Sequence, residues 1–213
     1  LGFTATAYGI GWEDAKSLQK TNPELIMFEY PTPYTYQIYM RVDRKPFDDV
    51  RVRRALNMAI DRPAINNSLY AGKGRLVSWP VATIPEFKDC YIALEEMSAS
   101  NKELFEYNRG KAKQLLTEAG YPTGFKTNVV CTPDGVDFLS VVKNYFADIG
   151  VDMNLNVKET AAFTTFTLTQ HAYDQMTYSS TSGPVAPFKY FDLRVGNPYN
   201  YSMINDPQVE KAY

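Results

Sequence analysis

The residues that could do chemistry in this chain are few and widely spaced. Its one histidine, His171, lies in a polar stretch between a predicted helix and a predicted strand, with no serine elbow or second histidine at a useful spacing. The acidic pairs Asp48-Asp49 and Glu95-Glu96 are sequence neighbours, and neighbours rarely converge on one bond. We therefore predict that the chain is not an enzyme and holds no cofactor or metal.

Two other groups could suggest an anion site. Residues 72–75, GKGR, lack the spacing of a phosphate loop and follow a predicted helix instead of a strand. Arg51, Arg53 and Arg54 lie on the polar face of a predicted amphipathic helix beside Asp48, Asp49 and Asp61, where hydration and local pairing account for them. We therefore interpret both groups as structural.

The two cysteines do not indicate a metal or redox site. Cys90 and Cys131 are far apart in the sequence and have no nearby histidine, which excludes a zinc knuckle and a Cys-x-x-Cys motif. Free thiols and a single disulfide both stay open.

Composition and charge exclude further classes of protein. The 213 residues include 22 Lys plus Arg and 24 Asp plus Glu, and the net charge of -2 offers no basic field to nucleic acid. Apolar residues make up 45% and charged residues 22%, as in folded globular chains. The apolar runs are far shorter than the ~20 residues that cross a bilayer. We expect one folded domain that spans no membrane and binds no nucleic acid.

The N-terminal half contains clear local signals. Residues 12–21 predict a helix, residues 25–30 an extended segment, and residues 36–42 a strand with one buried face, because apolar and polar residues alternate. Asp48 and Asp49 are placed to cap the first of two successive helices, and Asp61 is placed to cap the second. The first of these helices has an apolar face made of Val52, Leu56, Ala59 and Ile60.

A long stretch without periodicity separates the two halves. Residues 74–107 are punctuated by Pro80 and Pro85, and only residues 99–104 indicate a turn of helix. A loop this long inside one domain is typically functional or poorly ordered.

The C-terminal half predicts an α/β fold. Asn108 begins a helix that Gly120 ends, and another helix begins at residue 207. Strand-helix-strand units with right-handed crossovers form parallel sheets covered by helices. The predicted strands are residues 127–132, 151–157 and 173–178, and the helices between them are residues 138–149 and 161–169.

Three motifs give the chain a resemblance to a known family. Residues 46–62, PFDDVRVRRALNMAIDR, resemble the signature of family 5 extracellular solute-binding proteins. Residues 107–121, YNRGKAKQLLTEAGY, and residues 145–151, YFADIGV, resemble a later helix and a helix-strand junction of that family, in the same order. The resemblance covers residues 36–213.

The resemblance implies a type II periplasmic-binding-protein fold, with a mixed, largely parallel sheet flanked by helices. Residues 1–213 would form a single lobe, the C-terminal one of two, with residues 1–35 near the hinge and the N-terminal lobe outside this chain. Such lobes close on a solute through shaped walls and a few polar contacts. The implied protein is extracytoplasmic, in the periplasm or lipid-anchored at the cell surface, and passes its solute to the membrane permease of an ABC importer. We expect a monomer.

The resemblance also suggests where a ligand would bind. In peptide-binding members a Trp and then an Asp follow the strand that corresponds to residues 173–178, and the Asp pairs with the ligand's amino group. Ser180 and Gly183 occupy these positions here, so that anchor is absent. Neutral hydroxyls suit an uncharged polar ligand such as an oligosaccharide. The predicted ligand-binding residues are Trp79, which can stack on a sugar ring, and Thr177, Tyr178, Ser179, Ser180, Thr181 and Ser182.

Alternatives stay open for the Ser/Thr run and for the function. The run could form a ligand wall, or a loop that only turns. The whole protein could be an import receptor for a peptide-like or oligosaccharide solute, or a sensor or protein-interaction module that retains the fold, since a fold does not fix a function.

Overall fold

Four strands form one mixed sheet in the order β1-β4-β2-β3. The computed structural model describes residues 12–28, 35–74, 88–89, 91–181 and 193–212. Its strands are β1 (Thr35–Met40), β2 (Phe125–Cys131), β3 (Val151–Val157) and β4 (Met176–Thr181). Its helices are α1 (Trp12–Thr21), α2 (Val50–Met58), α3 (Arg62–Tyr70), α4 (Ala99–Lys102), α5 (Arg109–Glu118), α6 (Val136–Ala147), α7 (Thr160–Thr164) and α8 (Pro207–Ala212).

Two of the three strand pairings are parallel. β2 and β3 pair over their full length, from Phe125↔Val151 to Cys131↔Val157. β4 lies on the other side of β2 and is also parallel to it, with Val130 opposite Thr177. β1 completes the sheet antiparallel to β4. The prediction of an α/β fold with a mixed, largely parallel sheet flanked by helices is confirmed.

The two faces of the sheet pack against different clusters. One face meets α2, α5 and α6, and the four apolar positions predicted for α2 are all buried there. The other face carries a smaller cluster made of Val130, Phe163, Tyr173 and Tyr201. The sheet is therefore covered on both sides near its centre, which leaves its ends to provide a binding surface.

The predicted helix caps at Asp49, Asp61 and Asn108 are confirmed, whereas Asp48 lies one residue before the N-cap of α2. Asp49 accepts a hydrogen bond from the backbone N of Arg51 at 2.8 Å, and Asp61 accepts one from Ala64 at 2.9 Å. Asn108 caps α5 in the same way. At three helix N-termini, a local side chain therefore accepts a hydrogen bond from a backbone amide that has no partner within the helix.

The arginines of α2 are held by nearby groups. Arg51 pairs with Asp49 at 2.6 Å, and Arg54 pairs with Glu103 at 2.7 Å. Arg53 donates to the carbonyl oxygen of Phe47 at 2.6 Å, just before the helix. These contacts confirm the structural interpretation of the cluster.

Two predicted extended segments differ from the structure. Residues 25–28, the described part of the segment predicted at 25–30, lie in no strand, and Ile26 and Phe28 are 80% and 82% exposed. β4 begins at Met176 instead of residue 173, so the prediction was wrong by three residues. The reason is that Tyr173 is held by its side chain, whose hydroxyl donates to the carbonyl oxygen of Tyr201.

Candidate ligand-binding edge

The predicted ligand-binding residues of β4 lie near the edge of the sheet where its parallel strands end. β2, β3 and β4 run in the same direction, so Cys131, Val157 and Thr181 end on the same side. Ligands of open α/β sheets bind outside the carboxyl ends of the strands. This edge is therefore the candidate site. Trp79 and Ser182 lie outside the described residues.

Strand geometry divides the hydroxyl run into two sets. Residues 176–181 form a strand, so successive side chains point to opposite faces. Thr177 is fully buried, and its hydroxyl donates to the carbonyl oxygen of Val130 at 3.2 Å. Ser179 follows on the same face, while Tyr178 and Ser180 lie on the other; the two serines are half-buried. Thr181 ends the strand.

Three aromatic rings stack beside this edge. The centroids of Tyr36 and Tyr178 are 5.7 Å apart with an interplanar angle of 20°, and those of Phe138 and Tyr178 are 5.3 Å apart at 21°. Tyr178 is 7% exposed between its two neighbours, whereas Tyr36 is 57% exposed. Tyr36 also lies directly opposite Ser180 in the strand register. The stack therefore runs from a half-buried ring on α6 to an exposed ring on β1.

Gly135 makes room for the middle ring. It ends a short 3-10 turn between β2 and α6, and a Cβ placed on it would lie 2.6 Å from Cδ1 and 2.8 Å from Cε1 of Tyr178. Because such contacts are too short for any side chain, Tyr178 can occupy this position only beside a glycine.

Tyr178, Tyr70 and the Cys131 thiol are uncharged at neutral pH. Burial raises the pKa of Tyr178 well above its usual range, with smaller contributions from Tyr70 and Tyr36. Burial also raises the pKa of Tyr70 and of the Cys131 thiol. Cys131 is a free, buried thiol, and its partner in the open disulfide alternative, Cys90, lies outside the described residues. A raised pKa is the reverse of what a reactive cysteine needs.

On the opposite face lies a side-chain amide for which the described residues provide no partner. Gln37 lies opposite Ser179 in the register, and its Nε2 is buried and makes no hydrogen bond to any residue that the structure describes. A buried unpaired donor costs about 1–3 kcal/mol. The two faces of the β1-β4 pair thus differ, with rings on one and an amide and hydroxyls on the other.

A buried arginine fixes the chain just before β4. Arg41 is 7% exposed; its Nε and Nη2 donate to the Asp43 carboxylate at 2.7 Å each, and its Nη1 donates to the carbonyl oxygens of His171 and Tyr173 at 3.1 Å. Its guanidinium also lies over the Tyr173 ring. These contacts join the end of β1 to the segment that leads into β4.

The other chemical candidates are accounted for structurally. His171 is half-buried, and its Nε2 lies 2.9 Å from the carbonyl oxygen of Pro198. The described part of the chain has no group of three or more His, Cys, Asp or Glu side chains arranged to hold a metal ion. Nor does any helix within the described ranges combine the length and apolar character needed to cross a membrane.

Sequence reasoning missed the residues that shape the aromatic face. Tyr36 was predicted as a strand residue only, and Tyr70, Phe138, Gly135 and Gln37 were not predicted as part of a site. The signal available was the aromatic load, 16 Tyr and 12 Phe, which does not say which rings meet. Tyr36 and Tyr178 become neighbours only through the pairing of β1 with β4.

An α/β sheet covered by helices, with hydroxyl and aromatic side chains near the carboxyl end of β4, is the frame in which the candidate site lies. The chain belongs to the bacterial extracellular solute-binding proteins, family 5 Middle, whose family model matches residues 5–202. This match confirms the resemblance that residues 46–62, 107–121 and 145–151 carry.

The fold is that of periplasmic binding proteins. The periplasmic binding protein DppA from Helicobacter pylori, solved in complex with the peptide STSA, matches with a TM-score of 0.74 and 22% sequence identity, over 95% of this chain and 40% of that chain.

Curated relatives match a smaller part of the chain. Heme-binding protein A of Haemophilus influenzae is 36% identical over 115 residues, which are 54% of this chain and 19% of that protein. Glutathione-binding protein GsiB of Shigella flexneri is 36% identical over 123 residues, which are 58% of this chain and 22% of that protein. The matched region thus spans about a fifth of the length of these relatives.

Proposed function

We propose that this chain is one lobe of the substrate-binding component of an ABC importer, which captures a solute outside the cytoplasm and presents it to a membrane permease. The family match over residues 5–202 carries this proposal. The hydroxyl and aromatic side chains at the carboxyl end of β4 form the wall against which the solute lies. Enclosure by two lobes holds the solute, and no bond is made or broken.

The chain is the C-terminal lobe, and residues 1–35 lie near the hinge. The coverage of about 40% of the matched DppA chain supports this division, because a lobe accounts for part of a two-lobed protein. The lobe is monomeric, and light scattering that gave a tight oligomer at micromolar concentration would contradict this.

The solute is an uncharged or zwitterionic polar molecule of the peptide-like or oligosaccharide class. The relative named for glutathione binding supports the peptide-like class, since glutathione is itself a tripeptide. The half-buried hydroxyls of Ser179 and Ser180 and the amide of Gln37 offer hydrogen bonds without charge. We also propose Trp79, Thr181 and Ser182 as ligand-binding residues. Thr177 instead stabilises the strand, because its hydroxyl donates to the carbonyl oxygen of Val130.

The experiment is to purify the full-length protein from its own host and identify its bound solute by native mass spectrometry. We expect one class of small polar solute at one molecule per protein, and small-angle scattering that shows a more compact shape with solute than without. A full-length protein that carries no solute, and whose shape is constant, would contradict import binding and favour the sensor or protein-interaction alternative.

A further inference from the structure

The aromatic face of the β1-β4 pair has features that its structural role does not require. Tyr36 and Ser180 lie directly opposite each other, and Tyr36 stacks on Tyr178. Deeper along this face the neighbours Ile38 and Met40 pack into the core, where apolar side chains are expected. The Tyr36 ring at the rim is 57% exposed, so its burial stabilises the fold much less than the burial of Ile38 and Met40 does.

The stack is built with a fixed orientation. Phe138 and Tyr178 are held at 21° and Tyr36 and Tyr178 at 20°, so the three rings are nearly parallel. Gly135 lies against the middle ring and allows it to sit there. Tyr36 is the exposed end of this stack, and Ser180, which lies opposite it, is half-buried.

We propose that the rim formed by the exposed ring of Tyr36, supported by the stack beneath, is a subsite for an aromatic ring of the solute, such as a Phe, Tyr or Trp side chain of a peptide-like ligand. This inference rests on the proposed function and narrows its solute class. Ring pairs prefer offset-stacked or edge-to-face contacts, and an exposed ring at the end of a stack can make either.

The surroundings of the rim favour an aromatic ring over a sugar ring. A sugar carries hydroxyls around its perimeter, and each needs a hydrogen-bond partner when it is buried. On the face of Tyr36 and Tyr178, β4 provides two hydroxyls, that of the 7% exposed Tyr178 and that of the half-buried Ser180, while Met176 is apolar and buried, as is Cys131 on β2. The amide of Gln37 and the hydroxyl of Ser179 lie on the opposite face. The ring of a Phe side chain has no hydroxyl and therefore needs no hydrogen-bond partner when it is buried.

The test uses the full-length protein, freed of bound solute by unfolding and refolding. It is dialysed against an equimolar set of tripeptides Ala-X-Ala, in which X is Phe, cyclohexylalanine, Leu or Ser, together with maltotriose, and retained probes are measured by mass spectrometry. Phe and cyclohexylalanine have similar size, so their ratio isolates the contribution of the aromatic ring. We expect Phe to be retained about threefold to tenfold over cyclohexylalanine.

Variants assign this preference to the rim. Tyr36→Leu should lower the Phe to cyclohexylalanine ratio to about one, and Tyr36→Phe should keep it. Tyr36→Thr, which also removes the ring but suits a strand, provides a second test should Tyr36→Leu fold poorly. Tyr107→Leu is the matched control, because Tyr107 is 42% exposed and contacts Tyr145 away from this edge; it should keep the wild-type ratio.

Two results separate this inference from the function on which it rests. Retention of tripeptides without preference for Phe, retention of maltotriose alone, or a preference that Tyr36→Leu and Tyr36→Thr leave unchanged overturns the ring subsite but leaves solute binding intact. A protein that retains no probe and carries no solute from its host overturns the proposed function as well.

Discussion

Gly135 and Tyr178 are fitted to each other: a Cβ on Gly135 would lie 2.6 Å from Cδ1 of Tyr178. The glycine lies in the 3-10 turn between β2 and α6, and the tyrosine lies on β4. The packing of the turn against the aromatic face therefore depends on the absence of a side chain at position 135.

We expect Gly135→Ala to lower the free energy of unfolding by about 1–3 kcal/mol, because the added methyl group overpacks a buried site. Urea unfolding measures the change. Gly110→Ala is the control, since its Cβ would meet Asn108 Oδ1 at an ordinary 3.6 Å in helix α5, and it should be neutral or stabilise by up to about 1 kcal/mol. In a Tyr178→Ala background, Gly135→Ala should lower the free energy of unfolding by less than it does in the wild type. An equal loss in the two backgrounds would show that the Tyr178 ring does not cause the overpacking.

Gly124 and Gly120 form a matched pair with left-handed backbones, at φ values of 80° and 91°. A Cβ on Gly124 would overlap the carbonyl oxygen of Gly150, whereas a Cβ on Gly120 meets nothing within 4 Å. We expect Gly120→Ala to cost about 1 kcal/mol for the backbone alone and Gly124→Ala to cost at least about 3 kcal/mol. Thermal and urea unfolding of both variants provide the measurement, and equal costs would refute the close approach of the two loops.

Arg41 should contribute far more to stability than Arg44, although each has a carboxylate partner. Arg41 is buried and bonds Asp43 and two carbonyl oxygens, while Arg44 and Asp174 form an exposed pair at 2.6 Å. We expect Arg41→Met to cost about 2–3 kcal/mol, because the carbonyls of His171 and Tyr173 lose a charged donor, and Arg44→Met to cost less than about 1 kcal/mol. Comparable urea midpoints for the two variants would contradict this account.

Asp49 should make stability depend on pH in the acid range. Hydrogen bonds from the Arg51 side chain and backbone lower the pKa of Asp49 to about 2. A folded-state pKa below the unfolded value of about 3.9 means that the stabilisation is present above pH 4 and is lost as the pH falls toward 2. Asp49→Asn retains a capping side chain but cannot titrate. Urea unfolding between pH 5 and pH 3 should show the difference between wild type and Asp49→Asn shrinking as the pH falls, and a constant difference would argue against the pairing.

Local signals explain which parts of the fold could be predicted from the sequence. α5 lies within a residue or two of its predicted bounds because Asn108 caps it and Gly120 follows its end. β3 was predicted at its observed bounds because it follows the left-handed Gly150 directly. Such signals act over a few residues and need no knowledge of the rest of the chain.

The misplaced start of β4 and the missed aromatic face have a nonlocal origin. Tyr173 resembles a strand residue in the sequence, yet Arg41 and Tyr201 hold it outside the strand. The stack of Tyr36, Tyr178 and Phe138 joins three separate elements, and no spacing within one segment encodes it. The choice between a loop and a wall for the Ser/Thr run likewise depends on the pairing of residues 176–181 with β1.

The central claim is that a solute lies against the end of β4, and hydrogen exchange followed by mass spectrometry tests it most directly. The full-length protein would be compared with its co-purified solute and after the solute has been stripped away. We expect that bound solute slows the exchange of residues 178–181 and of the paired end of β1, residues 35–37. Bound solute with unchanged exchange in both segments would contradict it.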